Sequence, residues 1–190
     1  SRVSDTEYDV IVAGYGPVGE TCANLLGYYG IKALILDKEI ETFPLPRAIT
    51  WDAECQRAMA HCNFLTEVKT RKIRGVDNKD AKKRSILKIT MDGFDTYNYQ
   101  HSILFIHQPQ FDQAHRENAK KYQTNTIKTG NEILSIDQSD GVVNCSYKNI
   151  ETGEVLKTNS KYLLACDGAN STIRKLNNIE LKSLDADETW

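Results

Sequence analysis

The stretch YDVIVAGYGPVGETCANLLGYYGIKALILDK, Tyr8 to Lys38, decides the fold. Tyr8-Asp9-Val10-Ile11-Val12-Ala13 is a short apolar run, rich in β-branched side chains, that stops at glycine, as a buried parallel strand does. From Pro17 the period becomes helical, with Val18, Cys22, Leu25, Leu26 and Tyr29 near one face and Gly30 at the C-terminal stop. Ala33-Leu34-Ile35-Leu36 reads as a second buried strand. Strand, helix and strand within about thirty residues make a βαβ unit with an expected right-handed crossover. At its first bend, Gly14-Tyr15-Gly16-Pro17-Val18-Gly19 fits G-x-G-x-x-G. The first glycine permits the tight turn, the second lets backbone approach a pyrophosphate, and the third lets helix and strand pack closely. The helix start then offers free N–H groups and a positive dipole end to phosphates.

Asp37 ends the second strand, 18 residues after Gly19. An acid at this spacing accepts hydrogen bonds from ribose hydroxyls; the plain alternative is a solvated aspartate at a strand end. Its carboxylate disfavours a 2′-phosphate, so FAD or NAD fits this first site better than NADP. Lys38 either lies along the adenosine half or stands as an exposed lysine. These features alone do not separate FAD from NAD.

Outward from this unit, Phe43-Pro44-Leu45-Pro46 interrupts regular structure and a helix is expected from about Asp52 to Cys62, with Asp52 as its N-cap. Ile86–Thr90 and Ser102–Ile106 read as strands, with a polar turn at Met91-Asp92-Gly93 between them. Pro109 to Tyr122 reads as a helix with proline near its first turn. Strand-like runs follow at Glu132–Ile136, Val142–Tyr147 and Lys161–Cys166, with turns at Asp140-Gly141 and Thr152-Gly153-Glu154. The last run is apolar and stops at Asp167-Gly168, as a core strand would.

A chain of 190 residues, 40% hydrophobic, can bury the core of one large domain or two small ones. A formal net charge of -2 recommends neither a nucleic acid nor an anionic membrane as partner. The five cysteines are scattered without a C-x-x-C pair, the usage of thiols in a reducing compartment, so a cytoplasmic location is expected. No apolar run approaches the ~20 residues that span a bilayer. His61, His101, His107 and His115 have no metal-ligand spacing, and no metal is expected. Ser171 lies in no nucleophile elbow, so hydrolase chemistry has no support.

Three segments taken together carry a resemblance: the glycine loop with Ala23-Asn24-Leu25-Leu26-Gly27, the Pro46-Arg47-Ala48 loop, and Lys161 to Arg174 around Asp167-Gly168. The chain resembles the single-component FAD-dependent aromatic hydroxylases, the class A flavoprotein monooxygenases, and most of all their 3-(3-hydroxyphenyl)propionate hydroxylase branch. The resemblance implies an α/β fold, a Rossmann-like FAD-binding βαβ domain with an inserted, incomplete antiparallel-sheet substrate region. On that pattern residues 1–74 and 108–175 form a discontinuous FAD-binding domain, 75–107 begin a substrate domain, and 176–190 are a truncated continuation. Gly14, Gly16 and Gly19 then correspond to the pyrophosphate loop and Asp37 to the ribose-binding acid, more often Glu. Arg47 matches an arginine near the pyrophosphate, Gln108 a glutamine that contacts the flavin, and Asp167 the Asp-Gly motif associated with FAD and the nicotinamide donor. Each has a plainer reading. Arg47 can be a surface arginine, Gln108 a cap of the helix at Pro109, and Asp167-Gly168 a turn.

The implied activity is reduction of FAD by NADH or NADPH and hydroxylation of a small phenolic or other aromatic substrate through a flavin hydroperoxide. Family members continue to a C-terminal Gly-Asp motif with no counterpart before Trp190, so the chain reads as an N-terminal portion. Its expected partner is a missing C-terminal portion or, in a homo-oligomer, a second copy. No residue present can be named as catalytic acid or base. The alternatives are an NAD-dependent dehydrogenase, which would continue to alternate strands and helices after Asp37, and a non-catalytic dinucleotide-binding module.

Overall fold

The computed structural model describes residues 6–45, 47–64, 69–91 and 103–182. β1 (Tyr8–Ala13) and β2 (Ala33–Asp37) are buried almost throughout, as strands covered on both faces must be. They pair in parallel, and β1 pairs in parallel on its other side with β11 (Val155–Ala165). β8 (Asn125–Thr129) extends the parallel set beside β2. β10 (Val142–Asn149) and β9 (Asn131–Ser139) then continue beyond β11 in antiparallel sense, giving the order β8-β2-β1-β11-β10-β9. The β9–β10 turn uses Asp140 and Gly141, both with positive φ, as a two-residue hairpin with the right-handed twist requires.

Alternating residues of β1 and β2 feed two apolar layers. Val10, Val12, Ala33 and Ile35 join Tyr15, Ala23 and Ala119 on one side. Ile11, Leu34 and Leu36 join Cys145 and Tyr147 of β10 on the other, with Ile133 and Ile136 of β9 packed against them. The antiparallel arm thus curls over one face while helices cover the other. β11 lies inside the sheet, yet Tyr162 is 67% exposed; this end of β11 is less buried than its apolar sequence suggests.

α1 (Pro17–Tyr28) starts and stops as read, but it buries a different face. Val18 and Tyr29 are exposed, while Gly19, Glu20, Ala23, Asn24 and Gly27 are buried. The small residues at every fourth position let the helix backbone close in. A Cβ on Gly27 would stand 2.4 Å from the Tyr122 ring.

Asp52 caps α2 (Ala53–His61), accepting the Cys55 N–H at 2.8 Å. α3 (Gln108–Ala119) carries Pro109 in its first turn and ends three residues before Tyr122. Between these helices Trp51, Met59, Cys62, Phe64, Leu104 and Phe111 form a third cluster. Beside it stands a small antiparallel sheet, β3 (Thr50–Asp52), β7 (Ile103–Phe105) and β4 (Arg71–Lys72), with β7 central. β5 (Gly75–Lys79) and β6 (Ser85–Thr90) make a separate ribbon in which every residue is exposed. The two strands read at 86–90 and 102–106 therefore belong to different sheets. Pro46, most of the turn at 91–93, His101 and Ser102 lie outside the described residues.

Candidate functional site

The glycine loop joins the C-terminal end of β1 to α1, between the ends of β2 and β11. Gly14 N–H donates to the Leu36 carbonyl and Cys166 N–H donates to the Ala13 carbonyl, each at 2.7 Å, so both neighbouring strands grip the loop. Gly14 has φ +98°, and a Cβ there would lie 2.5 Å from the Cys166 carbonyl oxygen and 2.8 Å from the Asp167 Cα. A Cβ on Gly19 would lie 2.0 Å from the Gly14 carbonyl oxygen. Around Gly16 the situation is opposite, with no atom within 4 Å of an added Cβ. Gly16 is also the N-cap of α1, and no side chain caps the helix. The helix start thus has no side-chain partner, and the space beside Gly16 is open, the arrangement in which helix N-termini take up anions.

Asp37 sits at the edge of that space. Its Oδ2 accepts the Tyr15 N–H at 2.7 Å and its Oδ1 accepts the Glu39 N–H at 2.9 Å. A carboxylate offers about four acceptor positions, so these two backbone N–H groups leave others available. On the far side of the loop, Asp167 Oδ1 accepts from the Ser171 hydroxyl at 2.5 Å and Oδ2 from the Ile173 N–H at 3.0 Å. These bonds shape the turn into α4 (Thr172–Leu176), capped by Ser171. Gly14, Gly16, Gly19, Asp37 and Asp167 are thus brought together around one loop.

Arg47 and Gln108 form a second group. Gln108 Oε1 accepts the N–H groups of Arg47 and Ala48 at 2.8 and 2.7 Å, and its Nε2 donates to Asp112 Oδ2 at 3.3 Å. Gln108 does not cap its helix. It is the first residue of α3, and the N-cap is His107. The buried amide instead pins the loop that carries Arg47, whose guanidinium lies 3.6 Å from the centre of the Phe43 ring. Lys38 is exposed, with Nζ 3.9 Å from Glu39 Oε1.

A buried polar network stands behind the loop, and reading the sequence missed it. Arg116 Nε donates to Glu20 Oε1 at 2.8 Å, and its Nη2 donates to the Tyr15 carbonyl and stands 4.0 Å from Asp37 Oδ2. Asn24 donates to the Glu20 and His115 carbonyls and accepts from Asn118. His115 Nδ1 lies 3.5 Å from Glu20 Oε2. Burial and the Glu20 charge push the nearby Asp112 carboxyl up to about 6. Glu20 is a buried acid in the first turn of α1, and the Arg116 guanidinium offsets its charge. The signal was present as polar residues on α3 at helical spacing, Asp112, His115 and Asn118, but their burial was not legible.

The model of a family described as an FAD binding domain matches residues 7–190. The chain belongs to this FAD binding domain family. Among its relatives, the 3-(3-hydroxy-phenyl)propionate/3-hydroxycinnamic acid hydroxylase of Comamonas testosteroni is 27% identical over 195 residues, covering 100% of this chain and 32% of the relative. The enzyme of the same name from Escherichia coli (strain K12 / DH10B) is 29% identical over 187 residues, covering 95% and 32%. The chain spans about a third of the length of these curated relatives. Among solved structures, p-nitrophenol 4-monooxygenase PnpA from Pseudomonas putida DLL-E4 superposes with a TM-score of 0.76 at 24% identity, over 88% of this chain and 42% of that one. Aklavinone-11 hydroxylase in its ternary complex with FAD and aklavinone superposes at 0.72 with 19% identity, over 93% and 36%. These likenesses establish the FAD-binding fold, and family membership decides for FAD over NAD. Among the described residues, no helix of this FAD binding domain is long and apolar enough to cross a membrane, and no cluster of His, Cys, Asp or Glu could hold a metal ion.

Proposed function

We propose that the chain is the FAD-binding portion of an NAD(P)H-dependent monooxygenase that hydroxylates a small phenolic or other aromatic substrate. The observation that carries this reading is the loop from Gly14 to Gly19. It is closed by its neighbours at Gly14 and Gly19 and open at Gly16, with Asp37 tied to its backbone. The hydroxylase relatives supply the reaction class, which belongs to the whole protein because the chain spans about a third of their length.

In this reading the α1 first-turn N–H groups receive the pyrophosphate oxygens, and the dipole end favours their charge. Asp37 accepts ribose hydroxyls while the Tyr15 N–H holds its carboxylate in place. Arg116 draws off the negative charge of Glu20 from behind the loop. The amide of Gln108 fixes the backbone of the Arg47 loop, leaving that guanidinium to swing from Phe43 toward a phosphate. Asp167 acts through the turn it holds, presenting Gly168 at φ +80° beside the glycine loop. Lys38 lies along the adenosine side. Bound FAD would supply the redox chemistry, with NADH or NADPH as the electron donor. Residues 1–74 and 108–175 hold the cofactor in this division, and 75–107 begin the substrate side.

A visible spectrum of the purified protein, before and after incubation with FAD and gel filtration, tests the reading. Flavin bands co-eluting at about one cofactor per chain are expected. A colourless protein that takes up no FAD would overturn it.

A further inference from the structure

Two of the five free cysteines are neighbours only in the fold. Cys22, in the second turn of α1, and Cys166, the residue after β11, are 144 positions apart and 3.9 Å apart at sulfur. Their backbones are held in place. The Cys166 N–H donates to the Ala13 carbonyl at 2.7 Å, and a Cβ on Gly19 would stand 3.6 Å from the Cys166 Cβ, so helix and strand end are in close contact. Both side chains are half-buried, which leaves each partly open to solvent. Disulfide sulfurs lie about 2.05 Å apart, so a bond needs the two sulfurs to close by about 2 Å. Of the other three thiols, Cys62 and Cys145 are buried and Cys55 is exposed.

We propose that Cys22 and Cys166 form a peroxide-sensitive dithiol site that closes reversibly to a disulfide beside the glycine loop. The two thiols share a hydrogen bond, which favours the thiolate at Cys22 and pushes the Cys166 thiol up. Cys22 is therefore the attacking thiolate. It displaces hydroxide from hydrogen peroxide; an S–O bond forms, the O–O bond breaks, and the hydroxide takes a proton to leave as water. Cys166 then loses its proton and attacks the Cys22 sulfur; the S–S bond forms and the S–O bond breaks, releasing a second water. Two thiols lose two electrons, and one peroxide is reduced to two waters. The disulfide staples α1 to the Asp167-Gly168 turn. The proposal needs no bound cofactor and stands independently of the flavin reading.

The test is oxidation of the full reduced chain with one equivalent of hydrogen peroxide, followed by alkylation, trypsin digestion and mass spectrometry. Cys22 falls on the peptide Val3–Lys32 and Cys166 on Tyr162–Arg174. The expected product is these two peptides linked, reverting to separate peptides with dithiothreitol, while Cys62 and Cys145 remain reduced. In Cys166→Ser the Cys22 sulfenic acid is expected to be trapped by dimedone, and in Cys22→Ser the linked product is lost. The wild-type digest decides even where a variant folds poorly. Both thiols still free after peroxide, or each oxidised to a sulfinic acid without a link, would overturn the proposal.

Discussion

Gly19 leaves no room for any other residue. A Cβ there would stand 2.0 Å from the Gly14 carbonyl oxygen, so Gly19→Ala must push loop and helix apart. The expected loss is about 2–3 kcal/mol of stability, the scale of overpacking a closed site, read as a lowered urea midpoint. Asp112 behaves differently, because its cost depends on pH. Its carboxyl moves from an ordinary 3.8 up to about 6 through burial and the neighbouring Glu20 charge. A raised folded pKa means that the stability it contributes is present below pH 3.8 and lost as pH rises through about 6. Asp112→Asn is therefore expected to be more stable than the parent at pH 8, by about 2 kcal/mol, with the gap closing near pH 4. Urea unfolding at the two pH values checks it; a gap that does not change with pH would contradict the assignment. At this scale the glycines were legible, since each spacing has one geometric use. Gln108 was not. Its partners, the N–H groups of Arg47 and Ala48, lie 61 and 60 residues away, and nothing local announces them.

α1 shows what periodicity can and cannot decide. Its ends follow from Pro17 and Gly30, which act locally through φ and the missing N–H. Its buried face does not follow from apolar spacing. Gly19, Ala23 and Gly27 bring the backbone close, and Glu20 and Asn24 go inside because α3 brings Arg116 and Asn118 to meet them, 96 and 94 residues later. A rule that counts apolar side chains places Val18 and Tyr29 inward; both are exposed. Arg116→Met leaves Glu20 buried without its cation, and the expected loss is about 3 kcal/mol. Adding Glu20→Gln to that variant removes the stranded charge, so much of the urea midpoint returns. No recovery in the double variant would mean that Arg116 stabilises by packing alone.

Across the whole molecule, packing is uneven. The parallel strands β1, β2 and β11 carry the candidate site at their C-terminal ends, the place where open α/β sheets put ligands. That much was legible from one βαβ unit and one Asp-Gly strand end. The partition of the antiparallel strands was not, because β6 and β7 look alike in sequence yet differ in partners and in burial. The β5–β6 ribbon buries none of its residues, and a lone two-stranded ribbon is marginal in water. Its amides are expected to exchange orders of magnitude faster than those of β1 and β2 in a hydrogen-exchange experiment; equal protection would mean that another surface covers it. The central claim, that the open space at Gly16 receives the cofactor's pyrophosphate, has a direct test. Gly16 has φ −84° and no atom within 4 Å of an added Cβ, so Gly16→Ala leaves the fold undisturbed while filling the cradle. FAD fluorescence titrations of parent and Gly16→Ala, with matched thermal melts, are expected to show unchanged stability and at least about tenfold weaker binding, ~1.4 kcal/mol. Equal affinity in the two proteins would contradict the account.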